Sequence, residues 1–190
     1  MLSPTKKGEC GVFALNTALQ NCFNPPKKNG EEVVFGDTAF RAGDKVMQTR
    51  NDYNMEWRKP RPGGGWEEGQ GVFNGDMGFV EEVSREDREV LVRFDDEREA
   101  RYDAASLEDL ELAYCVSVHK SQGSEFPVVV MPAVGGPPML LTRNLFYTAV
   151  TRAKNMLITV GSGELIKKMT ENDKKSKRYS ALPHFLKSAF

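Results

Sequence analysis

The sequence predicts an α/β domain that is interrupted by a small antiparallel β module. Two near-continuous apolar runs, ELAYCVSV and FPVVVMP, have the composition of parallel strands that are covered on both faces. Between Phe40 and Leu107, by contrast, short alternating segments are separated by turns rich in Gly and Asp. The charge changes with the pattern: residues 39–111 contain 11 Lys plus Arg and 19 Asp plus Glu, whereas the remainder contains 15 and 8.

The first predicted element is a helix over residues 9–23. Its apolar residues recur at helical spacing: Val12, Leu15, Leu19 and Phe23. The sequence FNPP, at residues 23–26, then ends the helix, because proline restricts the preceding residue and removes a backbone donor. A helix with one apolar face needs a sheet to cover, so we assign it to the α/β domain.

The inserted module is predicted to consist of short strands in DKVMQT, GFVEEVS, EVLVRF and REARYDA. Its first gap, residues 51–70, contains two Pro, four Gly and both Trp of the chain, which predicts a long exposed loop. The segment VLVRFDDE resembles a strand that leads to acidic Mg²⁺ ligands. The alternation of Val90, Val92 and Phe94 nevertheless favours a half-buried barrel strand.

The last third is predicted to contain a strand at MLITV and a helix in TRNLFYTAVTRAKN, residues 142–155. One face of this helix is apolar: Leu145, Phe146, Ala149, Val150 and Ala153. The other face is polar: Asn144, Thr148, Thr151, Arg152 and Asn155. Arg152 is therefore expected to project away from the sheet on a rigid helix, where a guanidinium suits bidentate binding of phosphate oxygens. An ordinary exposed Arg is the alternative from the residues alone.

The two patterns together predict two domains. A discontinuous α/β domain comprises residues 1–38 and 112–190, and the inserted β module comprises residues 39–111. Only the α/β domain has the positive charge balance expected of a surface that binds a polyanion. Two ordinary solvated surfaces explain the same charges.

Composition argues against several other classes of protein. Three cysteines are an odd number without metal-ligand spacing, and the two histidines are far apart in sequence, so neither a disulfide framework nor a metal site is predicted. No apolar run approaches the roughly 20 residues of a membrane span, and the first residues lack the pattern of a secretion signal. The sequence therefore predicts a soluble protein of a reducing compartment, the cytoplasm.

A short polar stretch, SVHKSQGSEF at residues 117–126, lies between two predicted buried strands. Polar groups at the end of a buried strand cost free energy unless they have polar partners. The stretch therefore predicts that a polar ligand docks at this end of the sheet.

Four blocks resemble those of a known family. AYCVSVHKSQGSEF and LFYTAVTRAK resemble motifs V and VI of superfamily 1 helicases, in particular the RecD-like branch of exonuclease V alpha subunit, RecD and TraA type. PTKKGECGVFALNTALQNCFNP is similar to the motif IV region of that family. FRAGDKVMQTRNDY and GVFNGDMGFV are the two ends of the fourth block, which is similar to the segment that leads into the SH3-like insertion of that family. The blocks occur in the family's order and cover nearly the whole chain.

The resemblance implies a fold and an activity. The expected fold is a RecA-like parallel-sheet domain, of the P-loop NTPase type, interrupted by a small SH3-like antiparallel β-barrel. In this family, ATP binds between two RecA-like domains and single-stranded DNA crosses both. The chain is therefore expected to be the C-terminal motor half of an ATP-dependent DNA helicase that translocates 5′ to 3′.

The resemblance also implies roles for individual residues. Arg152 is the expected catalytic arginine finger, and Gly123 and Glu125 are expected to join it in binding the nucleotide. The residues expected to contact DNA, or to couple it to the ATP cleft, are Ser117, His119, Lys120, Ser121, Gln122 and Thr148. Lys120 suits a backbone phosphate, whereas a structural hydrogen bond is as plausible for His119 as a ligand contact.

Three residues of the insertion, Gln48, Asn51 and Asn74, are neutral hydrogen-bonding groups suited to DNA without sequence readout. Turn formation is the alternative for Asn74, because NGD is a turn signal by itself. The acidic balance of this module favours guiding or separating strands over gripping phosphates. Lys6 and Lys7 are further candidates for phosphate contacts, or else ordinary surface lysines.

The chain lacks a convincing G-x-x-x-x-G-K-[ST] loop and a convincing acidic strand end, which an ATP-hydrolysing motor needs. ATP and Mg²⁺ are therefore expected to require an N-terminal P-loop domain of the same protein, and negligible ATPase activity is expected without it. Single-stranded DNA is the expected partner, and other recombination or repair subunits are candidates. The alternatives are a non-catalytic nucleic-acid-binding adaptor and a fragment of an RNA helicase, because these residues do not reveal discrimination of the 2′-OH.

Overall fold

The computed structural model describes residues 1–28, 30–173 and 185. The strands are β1 (Leu2–Ser3), β2 (Glu32–Phe35), β3 (Thr38–Arg41), β4 (Lys45–Gln48), β5 (Asp52–Pro60), β6 (Trp66–Val72), β7 (Met77–Ser84), β8 (Glu89–Phe94), β9 (Glu99–Tyr102), β10 (Leu110–Leu112), β11 (Val116–Ser117), β12 (Phe126–Ala133) and β13 (Ala153–Gly161). The helices are α1 (Val12–Phe23), α2 (Arg143–Val150) and α3 (Gly163–Glu171). None of the helices in these residues is long and apolar enough to cross a membrane. The end of the predicted α/β domain, residues 174–184 and 186–190, lies outside the described residues.

The α/β part of the molecule contains two pairs of parallel strands. β1 pairs with β11, and β12 pairs with β13 along its length. Helices α2 and α3 pack on β12 through a shared apolar core. That core includes Met131, Leu145, Ala149 and Met169. The parallel pairing confirms the strands predicted at FPVVVMP and MLITV, whereas the two-residue strand β1 was too short for its pattern to be predicted.

Strands β4 to β10 form a seven-stranded antiparallel sheet in the order β10-β4-β7-β8-β9-β5-β6, here called the barrel module. The alternating residues of β8, Val90, Val92 and Phe94, are buried, as their pattern predicts. Val33 and Phe40, from the β2–β3 hairpin, pack into the same core. The predicted boundary between residues 38 and 39 therefore passes through a hairpin that packs with the barrel module.

The prediction of a long loop at residues 51–70 is wrong, because this segment forms a β-hairpin. β5 pairs with β6, and the turn between them contains three glycines with positive φ at positions 63, 64 and 65. Trp57 packs so closely on Gly69 that a Cβ at position 69 would lie 2.5 Å from its ring. The Arg58 guanidinium lies 4.4 Å from the ring centroid of Trp66. These cross-strand contacts order a segment whose Pro and Gly content indicated a loop.

The run ELAYCVSV is also not one continuous strand. Its first part belongs to β10, which pairs with β4 of the barrel module, and its last part belongs to β11, which pairs with β1. The break at Cys115 is held by Asn16 of α1, whose side-chain amide donates to the Cys115 carbonyl and accepts from the Cys115 N–H, both at 2.8 Å. A buried side chain thus replaces the ladder partner that a continuous strand would provide.

A buried carboxylate joins helix α1 to the barrel module. Asp44 is fully buried. Its Oδ2 accepts from the Gln20 amide at 2.6 Å and from the Arg41 backbone N–H at 2.8 Å. Its Oδ1 accepts from the Asn24 amide at 2.8 Å and from the Tyr114 hydroxyl at 2.9 Å. We call these five residues the Asp44 network; four hydrogen bonds offset the cost of burying the charge.

The stability of the chain is expected to depend on the ionisation of Tyr114 at high pH. Burial, and then the charge of Asp44, raise the pKa of Tyr114 to about 12, from an ordinary value near 10. The unfolded chain therefore releases this proton first, and the contribution of Tyr114 to the free energy of unfolding is complete below about pH 10 and lost toward about pH 12. The Tm of the wild type should fall more steeply over this range than that of a Tyr114→Phe variant. Parallel curves of Tm against pH would contradict the assignment.

Candidate nucleotide and nucleic-acid site

The polar stretch that follows β11 folds into successive tight turns, here called the 117–125 loop. The Ser121 N–H donates to the Ser117 carbonyl at 3.1 Å, and the Ser121 hydroxyl donates to the Val118 carbonyl at 2.7 Å. Ser117 and Ser121 are both buried. The Ser117 hydroxyl accepts from the Lys120 N–H at 3.2 Å, so both hydroxyls are engaged inside the loop. The roles predicted for these two serines, in contacting DNA or in coupling it to the ATP cleft, stay predictions.

The other predicted DNA residues of the loop face outward. His119 and Gln122 are exposed, and Lys120 is half-buried with its Nζ 2.9 Å from a carboxylate oxygen of Glu111. Gly123 has a φ of +90°, and no atom lies within 4 Å of the position a Cβ would occupy. The tip of the loop thus presents hydrogen-bonding groups and an open stretch of backbone to solvent, beside a lysine that is paired with Glu111.

Lys6, one of the two N-terminal lysines predicted to contact backbone phosphate, lies near Lys120. Lys6, Phe13 and Lys120 line the same small cavity of about 10 Å³. Lys6 and Lys7 are exposed, and Phe13 is 53% exposed. The fold therefore brings Lys6 and Phe13 to the same cavity as Lys120, from distant parts of the chain.

Arg152 does not lie on helix α2, and this part of the prediction is wrong. The helix ends at Val150, and Arg152 lies in the turn that leads into β13. The reason is that its carbonyl accepts from the Phe126 N–H at 2.8 Å, which starts the β12–β13 ladder. Asn155 likewise belongs to β13, and Val150 is 39% exposed instead of being part of the core.

The guanidinium of Arg152 is attached to the end of the 117–125 loop. Nη1 donates to the Ser124 carbonyl at 2.9 Å, and Nη2 donates to Thr151 Oγ1 at 3.4 Å. The third nitrogen of the guanidinium, Nε, is buried and has no acceptor among the described residues. An unpaired buried donor on a cation is costly, so this group is suited to a ligand that brings an oxygen acceptor.

The remaining residues predicted from motifs V and VI are near this turn. The Thr148 hydroxyl donates back to the Asn144 carbonyl at 2.8 Å, within the helix. Glu125 is exposed and lies 3.4 Å from Lys154 Nζ, an open ion pair of the kind that contributes little to stability. Both side chains keep acceptor capacity that a ligand could use.

A cleft of about 420 Å³ separates the 117–125 loop from the barrel module. Ser124 and Glu125 line one side of the cleft, and Lys45, Asp76 and Arg98 line the other. The residues predicted for the nucleotide therefore face the barrel module across a space that holds charges of both signs.

The three residues predicted in the insertion differ in exposure. Gln48 is fully buried, and its Oε1 accepts from the Tyr102 hydroxyl at 2.7 Å, so its side chain does not reach solvent in this conformation. Its contact with DNA stays a prediction. Asn51 and Asn74 are both exposed and lie together, because the Asn74 N–H donates to Asn51 Oδ1 at 2.9 Å. The site of this pair is the base of the β5–β6 hairpin.

Sequence reasoning missed two aromatic residues beside this pair. Tyr53 is 68% exposed and Phe73 is 41% exposed, and their rings meet edge to face with centroids 5.8 Å apart. The signal was present in the blocks RNDY and GVFNGD, where each aromatic residue is within two positions of a predicted Asn. Only the hairpin pairing brings the two blocks together.

The donor set fits the phosphates of ATP better than it fits a metal ion. The described residues contain no group of three or more His, Cys, Asp or Glu side chains that could hold a metal. Mg²⁺ in nucleotide sites is usually held by one or two carboxylates together with phosphate oxygens, so the Mg²⁺ expected with the P-loop domain stays a prediction. The unpaired Nε of Arg152 and the open backbone at Gly123 do suit a phosphate-bearing ligand.

Two family models match the chain. The model described as the SH3 domain of ATP-dependent RecD-like DNA helicases matches residues 15–94. The model described as the C-terminal domain of UvrD-like helicases matches residues 112–160. The first match begins within α1 and ends with β8, so it crosses the predicted boundary between residues 38 and 39, whereas the second lies within the predicted α/β part.

Curated relatives extend over most of the chain. It is 36% identical over 162 residues to the ATP-dependent RecD2 DNA helicase of Deinococcus radiodurans, covering 85% of this chain and 20% of that protein. It is 30% identical over 162 residues to the RecD subunit of the RecBCD enzyme of Mycolicibacterium smegmatis, covering 85% of this chain and 25% of that subunit. The chain thus spans a quarter or less of the length of these two relatives.

Solved structures share the fold. A Pif1 helicase from Bacteroides, in complex with ADP-AlF3 and ssDNA, matches with a TM-score of 0.56 over 98% of this chain and 44% of that chain. The two sequences are 16% identical, so the match concerns the fold alone. It confirms the predicted combination of a RecA-like domain and an SH3-like insertion.

Proposed function

Because this chain belongs to the RecD-like family of superfamily 1 DNA helicases, we propose that it acts as the second motor domain of an ATP-dependent DNA helicase. In this proposal Arg152 is the arginine finger, and the 117–125 loop is part of the track for single-stranded DNA. The observation that carries the proposal is the hydrogen bond from Arg152 Nη1 to the Ser124 carbonyl. It connects the residue proposed for ATP to the loop proposed for DNA.

The proposed role of Arg152 is electrostatic. Negative charge develops on the transferred phosphoryl group during ATP cleavage, and a guanidinium positioned there lowers the barrier. The backbone of Arg152 is fixed by hydrogen bonds to Phe126 and Ala149, so little reorganisation is needed to present its side chain. Gly123 would permit close approach of the nucleotide, and Glu125 would accept a hydrogen bond from the ribose. Mg²⁺, bound with the P-loop domain, would neutralise phosphate charge.

The proposed DNA track combines phosphate contacts with neutral contacts. Lys120 and Lys6 would bind backbone phosphates near the 117–125 loop, with His119 and Gln122 as further hydrogen-bonding partners. Thr148, on α2, would form a further hydrogen bond to the DNA. A change in the position of the DNA at this loop would reach Arg152 through Ser124, which gives a physical route for coupling DNA movement to ATP cleavage.

The domain division and the partners belong to the same proposal. Residues 1–38 and 112–190 would form the RecA-like domain, residues 39–111 would form the SH3-like module, and the Asp44 network would lie at their junction. An N-terminal P-loop domain of the same protein would complete the ATP site. Single-stranded DNA, and subunits of a recombination or repair complex, would be the other partners.

ATP turnover distinguishes this proposal from a non-catalytic adaptor. The 190-residue chain alone should give no DNA-stimulated ATP hydrolysis above background, because it has no phosphate-binding loop. The same chain linked to its P-loop domain should hydrolyse ATP with stimulation by single-stranded DNA. Turnover by the chain alone would contradict the division of the ATP site, and a linked protein that binds DNA without turnover would support the adaptor. Matched DNA and RNA oligonucleotides as activators separate the two helicase types.

A further inference from the structure

The aromatic pair at the base of the β5–β6 hairpin is open to solvent and held in place by the backbone beneath it. The Phe73 ring lies over Gly71, where a Cβ would be 3.0 Å from the ring. The Phe73 N–H donates to the Asp76 carboxylate at 3.0 Å. Tyr53 follows Asp52, whose carboxylate accepts from the backbone N–H groups of Asn54 and Met55 at 2.9 and 3.1 Å. The two rings are therefore exposed but preorganised.

Neutral polar groups border the pair. The Asn51 amide donates to the Tyr53 hydroxyl at 3.3 Å, and its carbonyl oxygen accepts from the Asn74 N–H. The Asn74 side chain is exposed. Aromatic faces beside amide groups match the chemistry of a nucleobase, which offers a π-face for stacking and an edge for hydrogen bonds.

The charges around the pair do not suit a phosphate. Arg50 lies 3.3 Å from carboxylate oxygens of both Glu108 and Asp109. Arg98 donates to Asp76 at 2.7 Å and to Asp96 at 2.6 Å. The nearby cations are thus paired with carboxylates, in a module with eight more acidic than basic residues between positions 39 and 111. A ligand held here would be bound through uncharged groups.

We propose that Tyr53 and Phe73 form a stacking platform for the bases of single-stranded DNA, with Asn51 and Asn74 at its edge. The platform deepens the function proposed above and rests on it. It explains how an acidic module holds a polyanion: the barrel module binds bases, whereas the 117–125 loop binds phosphates. The two sites differ in their dependence on salt, because only phosphate contacts release counterions.

The experiment measures binding of the 190-residue chain to a fluorescent oligo-dT and to an oligonucleotide of the same length with abasic sites. Tyr53→Leu and Phe73→Leu keep apolar bulk but remove the aromatic face. Each should weaken oligo-dT binding by on the order of tenfold, the loss expected for one stacked base. Binding of the abasic oligonucleotide should be equal for the variants and the wild type. Phe79→Leu is the matched control, since Phe79 is 47% exposed on β7 of the same module.

The salt dependence gives a second readout. Tyr53→Leu should leave the slope of log affinity against log salt unchanged, whereas Lys120→Ala should reduce it by about 0.7, the value for one phosphate contact on a single strand. Equal oligo-dT affinities for the wild type, Tyr53→Leu and Phe73→Leu would overturn the platform, and so would equal losses on the abasic strand. If Lys120→Ala still weakens binding in that case, the proposed DNA track stands without the platform. If the wild-type chain binds no oligo-dT at all, both proposals fail.

Discussion

Replacement of Arg152 by Ala is expected to lower DNA-stimulated ATP turnover by on the order of 10³ or more in a protein that combines this chain with its P-loop domain. The guanidinium would act on charge that exists only in the transition state, so affinity for ATP should change much less than turnover. Steady-state turnover and equilibrium binding of a fluorescent nucleotide measure the two effects separately.

Two further variants make this test specific. Arg152→Lys keeps the positive charge but loses the fork of N–H donors, so it should recover little of the turnover. Arg143→Ala removes a half-exposed Arg at the start of α2, where it donates to the Thr170 carbonyl, and should leave turnover near the wild-type value. A small loss with Arg152→Ala, or an equal loss with Arg143→Ala, would remove Arg152 from the catalytic role.

The loss of the Asp44 carboxylate is expected to be the most destabilising single change in the junction. Asp44→Ala leaves the Tyr114 hydroxyl and the Arg41 N–H without their acceptor, while Gln20 and Asn24 keep one backbone acceptor each, at Ala39 and Ala42. Buried groups without partners cost about 1–3 kcal/mol each, so we expect the free energy of unfolding to fall by about 3–5 kcal/mol. Urea denaturation followed by circular dichroism measures this change.

Two further variants test whether the Asp44 network causes this loss in the free energy of unfolding. Tyr114→Phe removes one donor and should cost about 1 kcal/mol. Asp37→Ala, in the exposed turn between β2 and β3, changes the same residue type outside the network and should cost less than about 1 kcal/mol. An Asp44→Ala variant as stable as Asp37→Ala would show that the buried carboxylate does not hold the junction together.

The Asp44 network also bears on the proposed function. It links α1, which follows the PTKKG segment, to Arg41 at the end of β3 and to Asp44, the residue before β4. Weakening it would change the position of the barrel module relative to the 117–125 loop, across the cleft lined by Ser124 and Glu125. A binding defect in a partly destabilised variant would therefore indicate misplacement and not loss of contact residues.

Local pattern was sufficient for the fold class. Apolar runs predicted the parallel strands β12 and β13, alternation predicted β8, and helical spacing with FNPP predicted α1 and its end. These features depend on residues that are close in sequence, so periodicity reveals the type of element. It did not give the buried face of α1, where Val12, Asn16 and Gln20 are buried and Phe23 is 70% exposed. The four motif blocks pointed to the family on the same basis.

The sequence therefore determined the fold class, several of its helices and strands, and which stretches carry polar candidates. Only the tertiary structure decided which of these candidates reach solvent. Gln48 is withdrawn by a hydrogen bond to Tyr102, 54 positions away, and the ELAYCVSV run is broken by Asn16, 99 positions from its partner. The hairpin at residues 51–72 brought Tyr53 beside Phe73 and created a surface that neither block shows alone. The physical reason is that exposure and pairing depend on contacts between distant residues, whereas periodicity and turn chemistry are local.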